Sequence, residues 1–117
     1  MQVPERAALM RIYTDEGARA GRQALFEVIV RKARDEGLAG ATVLRGPMGF
    51  GHSHLIHNAT ILNLSMSLPV VIEIVDEESK LRDFHASLQS FGAVGLVTLE
   101  KVEVLHHPSH AKSEAPA

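Results

Sequence analysis

The sequence predicts an α+β fold in which four strands form one antiparallel sheet and two helices pack on a single face of it. The chain has 117 residues, which is the usual size of one domain. Segments with an apolar period of two alternate with segments of period 3.6 in the order β-α-β, then β-α-β. A long segment separates the two units. This order is that of the ferredoxin-like split βαβ arrangement.

The first half of the chain supplies one β-α-β unit. Residues 8–14 are predicted to form a strand, because apolar and polar side chains alternate along them. Residues 23–36 are predicted to form a helix, and Gly37 is placed to end it. Residues 41–45 are predicted to be the second strand. The helix carries one apolar stripe, made of Phe26, Ile29, Val30 and Ala33.

The third strand, residues 69–75, is the strongest strand signal in the sequence. Val70, Ile72 and Ile74 lie on one face, and the opposite face is also mainly apolar. An antiparallel sheet that met water on its second face would have polar residues there. The pattern therefore predicts that another subunit covers that face.

A second helix and a fourth strand complete the fold. Asp76 is predicted to be the N-cap of the helix, and Gly92 is predicted to end it. Residues 96–105 are predicted to form the last strand. The apolar phase changes near Glu100 and Lys101, which indicates either a bulge or a switch of strand partner there. The stripe of the helix consists of Leu81, Phe84, His85 and Leu88.

Composition limits the class of protein. A net charge of -2 gives no general attraction to nucleic acid, and the absence of cysteine excludes disulfides and thiolate sites. We expect a cytoplasmic protein, because neither a signal peptide nor an apolar run of about 20 residues is present. The predicted domain is 8–105, with an N-terminal extension at 1–7 and a disordered tail at 106–117.

The glycine-rich run 45–52 opens the long segment, 46–68, and is the first candidate site. Closely spaced glycines let backbone amides approach a phosphate, and an arginine adds a planar set of donors. The same glycines also suit a hinge at the base of a loop, and both interpretations stay open. The candidate ligand residues in this run are Arg45, Gly46, Gly49, Gly51 and His52.

Two other side-chain groups contain residue types that can carry chemistry. His52, His54 and His57 are close enough in sequence to suggest a divalent metal site, although their spacing matches no standard metal motif. The acidic run 76–78 is explained by a helix start, where carboxylates are favoured. No nucleophile, acid or base stands in a catalytic pattern. The sequence therefore predicts that the protein is not an enzyme.

Four runs of sequence carry a family resemblance. Residues 36–46, 48–51, 68–76 and 95–104 resemble the DUF190 family, also called UPF0166, and the likeness spans about residues 8–105. The resemblance implies a PII-like fold and a homotrimer. It also implies a connection with transport, because members of this family are often encoded beside fluoride-export channels.

The wider PII superfamily adds expectations about the site. Its trimers bind adenine nucleotides in clefts between subunits, and a loop after the second strand contacts a transporter or an enzyme. By position, that loop begins here at Gly46, and the loop before the last strand is Gly92 to Gly95. The second loop lacks the basic phosphate-binding cluster of true PII proteins, which is a departure from their ATP-binding pattern.

Three functions follow as expectations. The first is a PII-like regulator that binds a small anionic ligand, such as an adenine nucleotide, in subunit clefts and acts on a transporter or enzyme through loop 46–68. The second is a metal-binding trimer like the CutA proteins, based on the histidines at 52, 54 and 57. The third is a ligand-free structural adaptor for a membrane channel.

Overall fold

The computed structural model describes residues 6–50, 57–58, 68–92 and 94–108. A 3-10 turn, Leu88–Phe91, follows the second helix. In chain order the elements are β1 (Arg6–Asp15), β2 (Arg19–Ala20), β3 (Gln23–Ala24), α1 (Leu25–Asp35), β4 (Thr42–Arg45), β5 (Met48–Gly49), β6 (His57–Asn58), β7 (Pro69–Asp76), α2 (Glu78–Ser87) and β8 (Val97–Glu103).

The main sheet has the strand order β4-β7-β1-β8, and each neighbouring pair is antiparallel. Strand β7 therefore lies between β1 and β4, which are the two strands joined through α1. This is the split βαβ arrangement, so the predicted α+β, ferredoxin-like fold is confirmed. Strand β1 begins at Arg6, two residues before the predicted domain boundary.

Both helices pack on the same face of the sheet. Side chains from α1, β1, β7 and α2 with its 3-10 turn form one buried cluster, as the alternation along the strands and the helix stripes require. Of the predicted α1 stripe, Ile29 and Ala33 are buried, while Phe26 and Val30 are half-buried at its margin. The cluster comprises Ala8, Met10, Ile12, Leu25, Ile29, Ala33, Ile72, Ile74, Leu81, Phe84 and Leu88.

The opposite side of the sheet, here called the open face, carries half-buried apolar residues around a charged centre. Arg11 donates from Nε to Glu73 at 3.0 Å and from Nη1 to Glu100 at 2.7 Å. These hydrogen bonds, the one to Glu73 first, raise the pKa of Arg11 above its ordinary value. Leu9 and Val75, which face each other across β1 and β7, are apolar neighbours on this face.

The C-terminus of α1 has the predicted glycine. Gly37 adopts a φ of 79°, and its N–H donates to the carbonyl of Arg34 at 3.0 Å. The N–H of Leu38 donates to the carbonyl of Ala33 at 3.0 Å. These two bonds form a Schellman motif, which stops the helix and turns the chain toward β4.

The predicted N-cap of α2 is wrong. Asp76 is the last residue of β7 and is fully buried, whereas the helix begins at Glu78. The alternation of β7 directs the Asp76 side chain into the helix layer. There its carboxylate accepts hydrogen bonds from the N–H of Ala39 at 2.9 Å and from the N–H of Glu77 at 2.6 Å. Asp76 thus ties the α1–β4 connection to the end of β7.

The predicted bulge or switch of partner in the last strand is also wrong. Strand β8 pairs with β1 residue for residue, from Arg6 opposite Glu103 to Ile12 opposite Val97. The change of apolar phase has another cause: Val97 and Leu99 pack on the helix side, whereas Val102 lies opposite Ala7 on the open face.

Among the described residues, no helix is both long and apolar enough to cross a membrane. The predicted extension and tail fall largely outside the described residues, which start at position 6 and end at position 108.

Candidate functional site

The long segment between β4 and β7 begins as a two-stranded ribbon. Met48 pairs with Asn58, and Gly49 pairs with His57. Two of the predicted ligand residues, Gly51 and His52, lie outside the described residues. The predicted metal group, His52, His54 and His57, also falls outside them, apart from the backbone of His57. Among the described side chains, no three potential ligands converge on a metal position.

Gly46 and Gly49 lie against the ring of Pro69. A Cβ at Gly46 would lie 3.1 Å from Pro69 Cγ, and one at Gly49 would lie 3.2 Å from the same atom. The N–H of Gly46 donates to the carbonyl of Pro69 at 2.8 Å. These glycines therefore let the start of the long segment pack closely on the first residue of β7.

Glu16 joins the two ends of the long segment. Its Oε2 pairs with Nη2 of Arg45 at 2.8 Å, just before the segment starts. Its Oε1 accepts a hydrogen bond from the N–H of Leu68 at 3.1 Å, and its own N–H donates to the carbonyl of Leu68 at 2.9 Å. Arg45 is therefore engaged with a carboxylate, and its charge is directed to Glu16.

Glu16→Ala is expected to loosen the contacts between the two ends of the long segment without unfolding the protein. The variant removes the acceptor of the Leu68 amide and the partner of Arg45, so amide exchange at Leu68 should become about tenfold faster. Hydrogen exchange monitored by NMR measures the exchange rate of the Leu68 amide. Glu103→Ala, an exposed carboxylate on β8, is the control and should leave the rate unchanged. An unchanged Leu68 rate in Glu16→Ala would contradict the role of Glu16.

The loop before β8 is held against the end of β1. Gly92 has a φ of 78° and Gly95 a φ of 114°, both in the region that favours glycine. The N–H of Tyr13 donates to the carbonyl of Leu96 at 2.8 Å. A Cβ on Gly95 would overlap the carbonyl oxygen of Tyr13, so the backbones approach more closely than any other residue type would allow.

A cleft of about 1050 Å³ opens where these parts meet. Its size is at the upper end of ligand pockets, which run from roughly 300 to 1,000 Å³. It is bounded by the C-terminal end of β1 and the N-terminal end of β7, by α2 with its 3-10 turn, by the ribbon and by the loop before β8. The lining residues are Tyr13, Thr14, Asp15, Ala18, Gly49, Phe50, Pro69, Val70, Val71, His85, Gln89, Gly92, Val94, Gly95, Leu96 and Val97.

The cleft brings together three of the predicted ligand residues, Gly49, Gly92 and Gly95. Arg45 and Gly46 lie beside it and are not among the described residues that line it. Those lining residues include no lysine or arginine, in agreement with the missing basic cluster noted in the sequence.

Sequence reasoning missed the polar side chains of the helix layer in this cleft. His85 had been placed in the apolar stripe of α2, and Gln89 had not been singled out. Nε2 of Gln89 lies 3.5 Å from Nε2 of His85. The i, i+4 spacing of a histidine and a glutamine at the end of an amphipathic helix was the available signal.

Comparison with known proteins identifies the family. The model of the DUF190 family, described as "Uncharacterized ACR, COG1993", matches residues 7–104. A UPF0166 protein of Aquifex aeolicus is 38% identical over 98 residues, which cover 84% of this chain and 92% of the relative. A UPF0166 protein of Methanocaldococcus jannaschii is 34% identical over 76 residues, which cover 65% of this chain and 69% of the relative.

Solved structures with the same fold are PII-like. CPII of Thiomonas intermedia K12, bound to ADP and bicarbonate, superposes with a TM-score of 0.64 at 16% identity, covering 86% of this chain and 90% of CPII. A CPII structure with ADP, AMP and acetate gives a TM-score of 0.62 at 15% identity, over 89% and 92% of the two chains. The fold is therefore PII-like, and the chain belongs to the DUF190 (UPF0166) family.

Proposed function

We propose that this protein is a non-enzymatic PII-like regulator that binds an adenine nucleotide in the cleft between the ribbon and the loop before β8. The cleft is the observation that carries the proposal. It joins the start of the long segment, through Gly49 and Phe50, to the loop Gly92 to Gly95. A ligand seated there touches both parts at once, so its binding is coupled to the position of the long segment.

The composition of the cleft suits a nucleoside better than a free phosphate. Apolar side chains such as Val71, Leu96 and Val97 provide walls for a flat ring, and a few polar groups can fix its orientation. CPII, which shares the fold, is described as a nitrogen regulatory PII-like protein bound to ADP, AMP and bicarbonate. These ligands are the first to test on this chain.

Three copies would complete the site. In this proposal the open faces of three subunits pack together, and a neighbouring subunit supplies cationic groups to balance the phosphates. The half-buried apolar residues Leu9 and Val75 support such a contact, because they would otherwise face water. Loop 46–68 would then contact a transporter or an enzyme. The contacts of Glu16 with the two ends of this loop would transmit the effect of the ligand.

Isothermal titration calorimetry tests the ligand. We expect saturable binding of ADP or AMP with a micromolar dissociation constant, measured with and without bicarbonate. Leu96→Trp places a bulky ring on the cleft wall and should weaken binding about tenfold or more. Leu105→Trp, the same change at an exposed leucine outside the cleft lining, is the matched control and should bind as the parent does.

The absence of binding would decide between functions. If ADP, AMP, ATP and cyclic AMP all give neither heat nor a thermal shift, the nucleotide proposal fails. The ligand-free adaptor would then be the function to pursue. If both tryptophan variants bind as the parent does, the nucleotide occupies another site.

A further inference from the structure

The polar corner formed by His85 and Gln89 lies in the helix-layer wall of the cleft. Gln89 is in the 3-10 turn that follows α2, one helical turn after His85. Both side chains line the cleft, whose other walls are largely apolar. Side-chain hydroxyls nearby are turned back on the helix: Ser87 Oγ donates to the carbonyl of Phe84 at 2.6 Å, and Ser90 Oγ donates to that of Ser87 at 3.3 Å.

The contact between the two side chains orients the Gln89 amide. Its Nε2 lies 3.5 Å from the imidazole Nε2, at the long end for a hydrogen bond. When the neutral His85 ring accepts at Nε2, the Gln89 amide nitrogen is the donor and the amide oxygen is left for another partner. Among the described residues no donor reaches that oxygen. Gln89 is exposed and lines the cleft, so its amide can offer a bound ligand an acceptor and a remaining N–H donor.

This pair of groups matches one purine edge. Adenine carries an amino donor at N6 next to a ring-nitrogen acceptor, and a glutamine amide can pair with both at once. A 6-oxo purine presents an acceptor in place of the amino group, which would meet the amide oxygen. The C-terminal end of a helix carries partial negative charge, which also favours an amino donor.

We propose that Gln89 reads the adenine edge of the nucleotide and that His85 is a positioning residue that holds the Gln89 amide in the orientation selective for adenine. The proposal rests on the proposed function, because the purine must occupy this cleft. It goes beyond that function by assigning the choice of base to two residues of the helix layer.

Competition between AMP and IMP tests the assignment, since the two nucleotides differ only at purine position 6 and its adjacent ring proton. The parent is expected to bind AMP about tenfold or more tightly than IMP. Gln89→Leu should lower AMP affinity to that of IMP and leave IMP affinity unchanged. Gln23→Leu, the same change at an exposed glutamine outside the cleft lining, should keep the parent's selectivity.

His85→Leu separates positioning from direct binding. A freed amide can rotate and pair with either purine, so IMP should gain affinity while AMP loses little, and the selectivity should fall at least severalfold. His106→Leu, a change at an exposed histidine outside the cleft lining, is the control and should leave selectivity unchanged. A readout of selectivity, rather than of affinity alone, excludes a general loss of structure as the explanation.

The outcomes distinguish this inference from the proposed function. If the parent binds AMP, and Gln89→Leu or His85→Leu leaves the AMP-to-IMP ratio unchanged, the inference is overturned and nucleotide binding stands. Equal binding of AMP and IMP by the parent would also overturn the inference and leave nucleotide binding in place. If the parent binds ADP but not AMP, the same comparison is made between ADP and IDP. If it binds none of ADP, AMP, ATP and cyclic AMP, both proposals fall.

Discussion

Replacing Gly95 by alanine is expected to destabilise the protein by about 2–5 kcal/mol, because two costs add at this position. The backbone φ of 114° lies where side-chain-bearing residues are strained. The new Cβ would also overlap the carbonyl oxygen of Tyr13. Relief requires the loop before β8 to move away from β1, so the hydrogen bond from Tyr13 to Leu96 and the cleft wall would be lost with it.

Two other glycines separate these costs. Gly21 has a φ of 63° with nothing within 4 Å of its Cβ position, so Gly21→Ala should cost only the strain, about 1–2 kcal/mol. Gly40 has neither a positive φ nor a close neighbour, and Gly40→Ala should be neutral or slightly stabilising. Urea unfolding measures the free energy of unfolding of the three variants and so their order of stability. A Gly95→Ala variant as stable as Gly21→Ala would show that the overlap is relieved at little cost.

Val75→Asp is expected to convert the proposed trimer into monomers. Val75 faces Leu9 across the central strands of the open face, where Glu73 and Glu100 already outnumber Arg11. A further carboxylate in a subunit contact would be desolvated without a partner, which costs several kcal/mol. Light scattering should change from about 38 kDa, three times the chain mass of 12.7 kDa, to the mass of a single chain.

Val28→Asp controls for the chemical change itself. Val28 is half-buried on α1, away from the open face, so this variant should keep the mass of the parent. Circular dichroism of both variants checks that the monomer is folded. A parent that scatters as 12.7 kDa at micromolar concentration would refute the trimer before any variant is made.

The two wrong predictions, the N-cap at Asp76 and the irregularity in β8, arose because one sequence pattern can indicate two structures. Asp76 combines the residue type of an N-cap with the position of a strand end, and residue type alone favoured the cap. Extending the alternation of β7 by one residue would have placed its side chain in the helix layer, where it is found. In β8, the shift of apolar residues from one phase to the other indicates a change of buried face, since the pairing with β1 is continuous.

The candidate site was only partly predictable. Gly49, Gly92 and Gly95 were singled out because glycine marks unusual backbone, and the structure places all three at the cleft. The partner of Arg45 was not predictable, because Glu16 lies far away in the sequence and follows no helix or strand period with it. His85 and Gln89 have helical spacing, but that spacing does not indicate which surface they meet.

Local periodicity was sufficient for the order of the four strands of the main sheet and the two helices, and the family motifs were sufficient for the PII-like fold. Both depend on residues close together in sequence, where geometry is set by the period of the backbone. The cleft, the contacts of Glu16 with the ends of the long segment and the contact between Gln89 and His85 were decided by tertiary structure. Each depends on side chains brought together from separate elements, and such contacts leave no periodic trace in the chain.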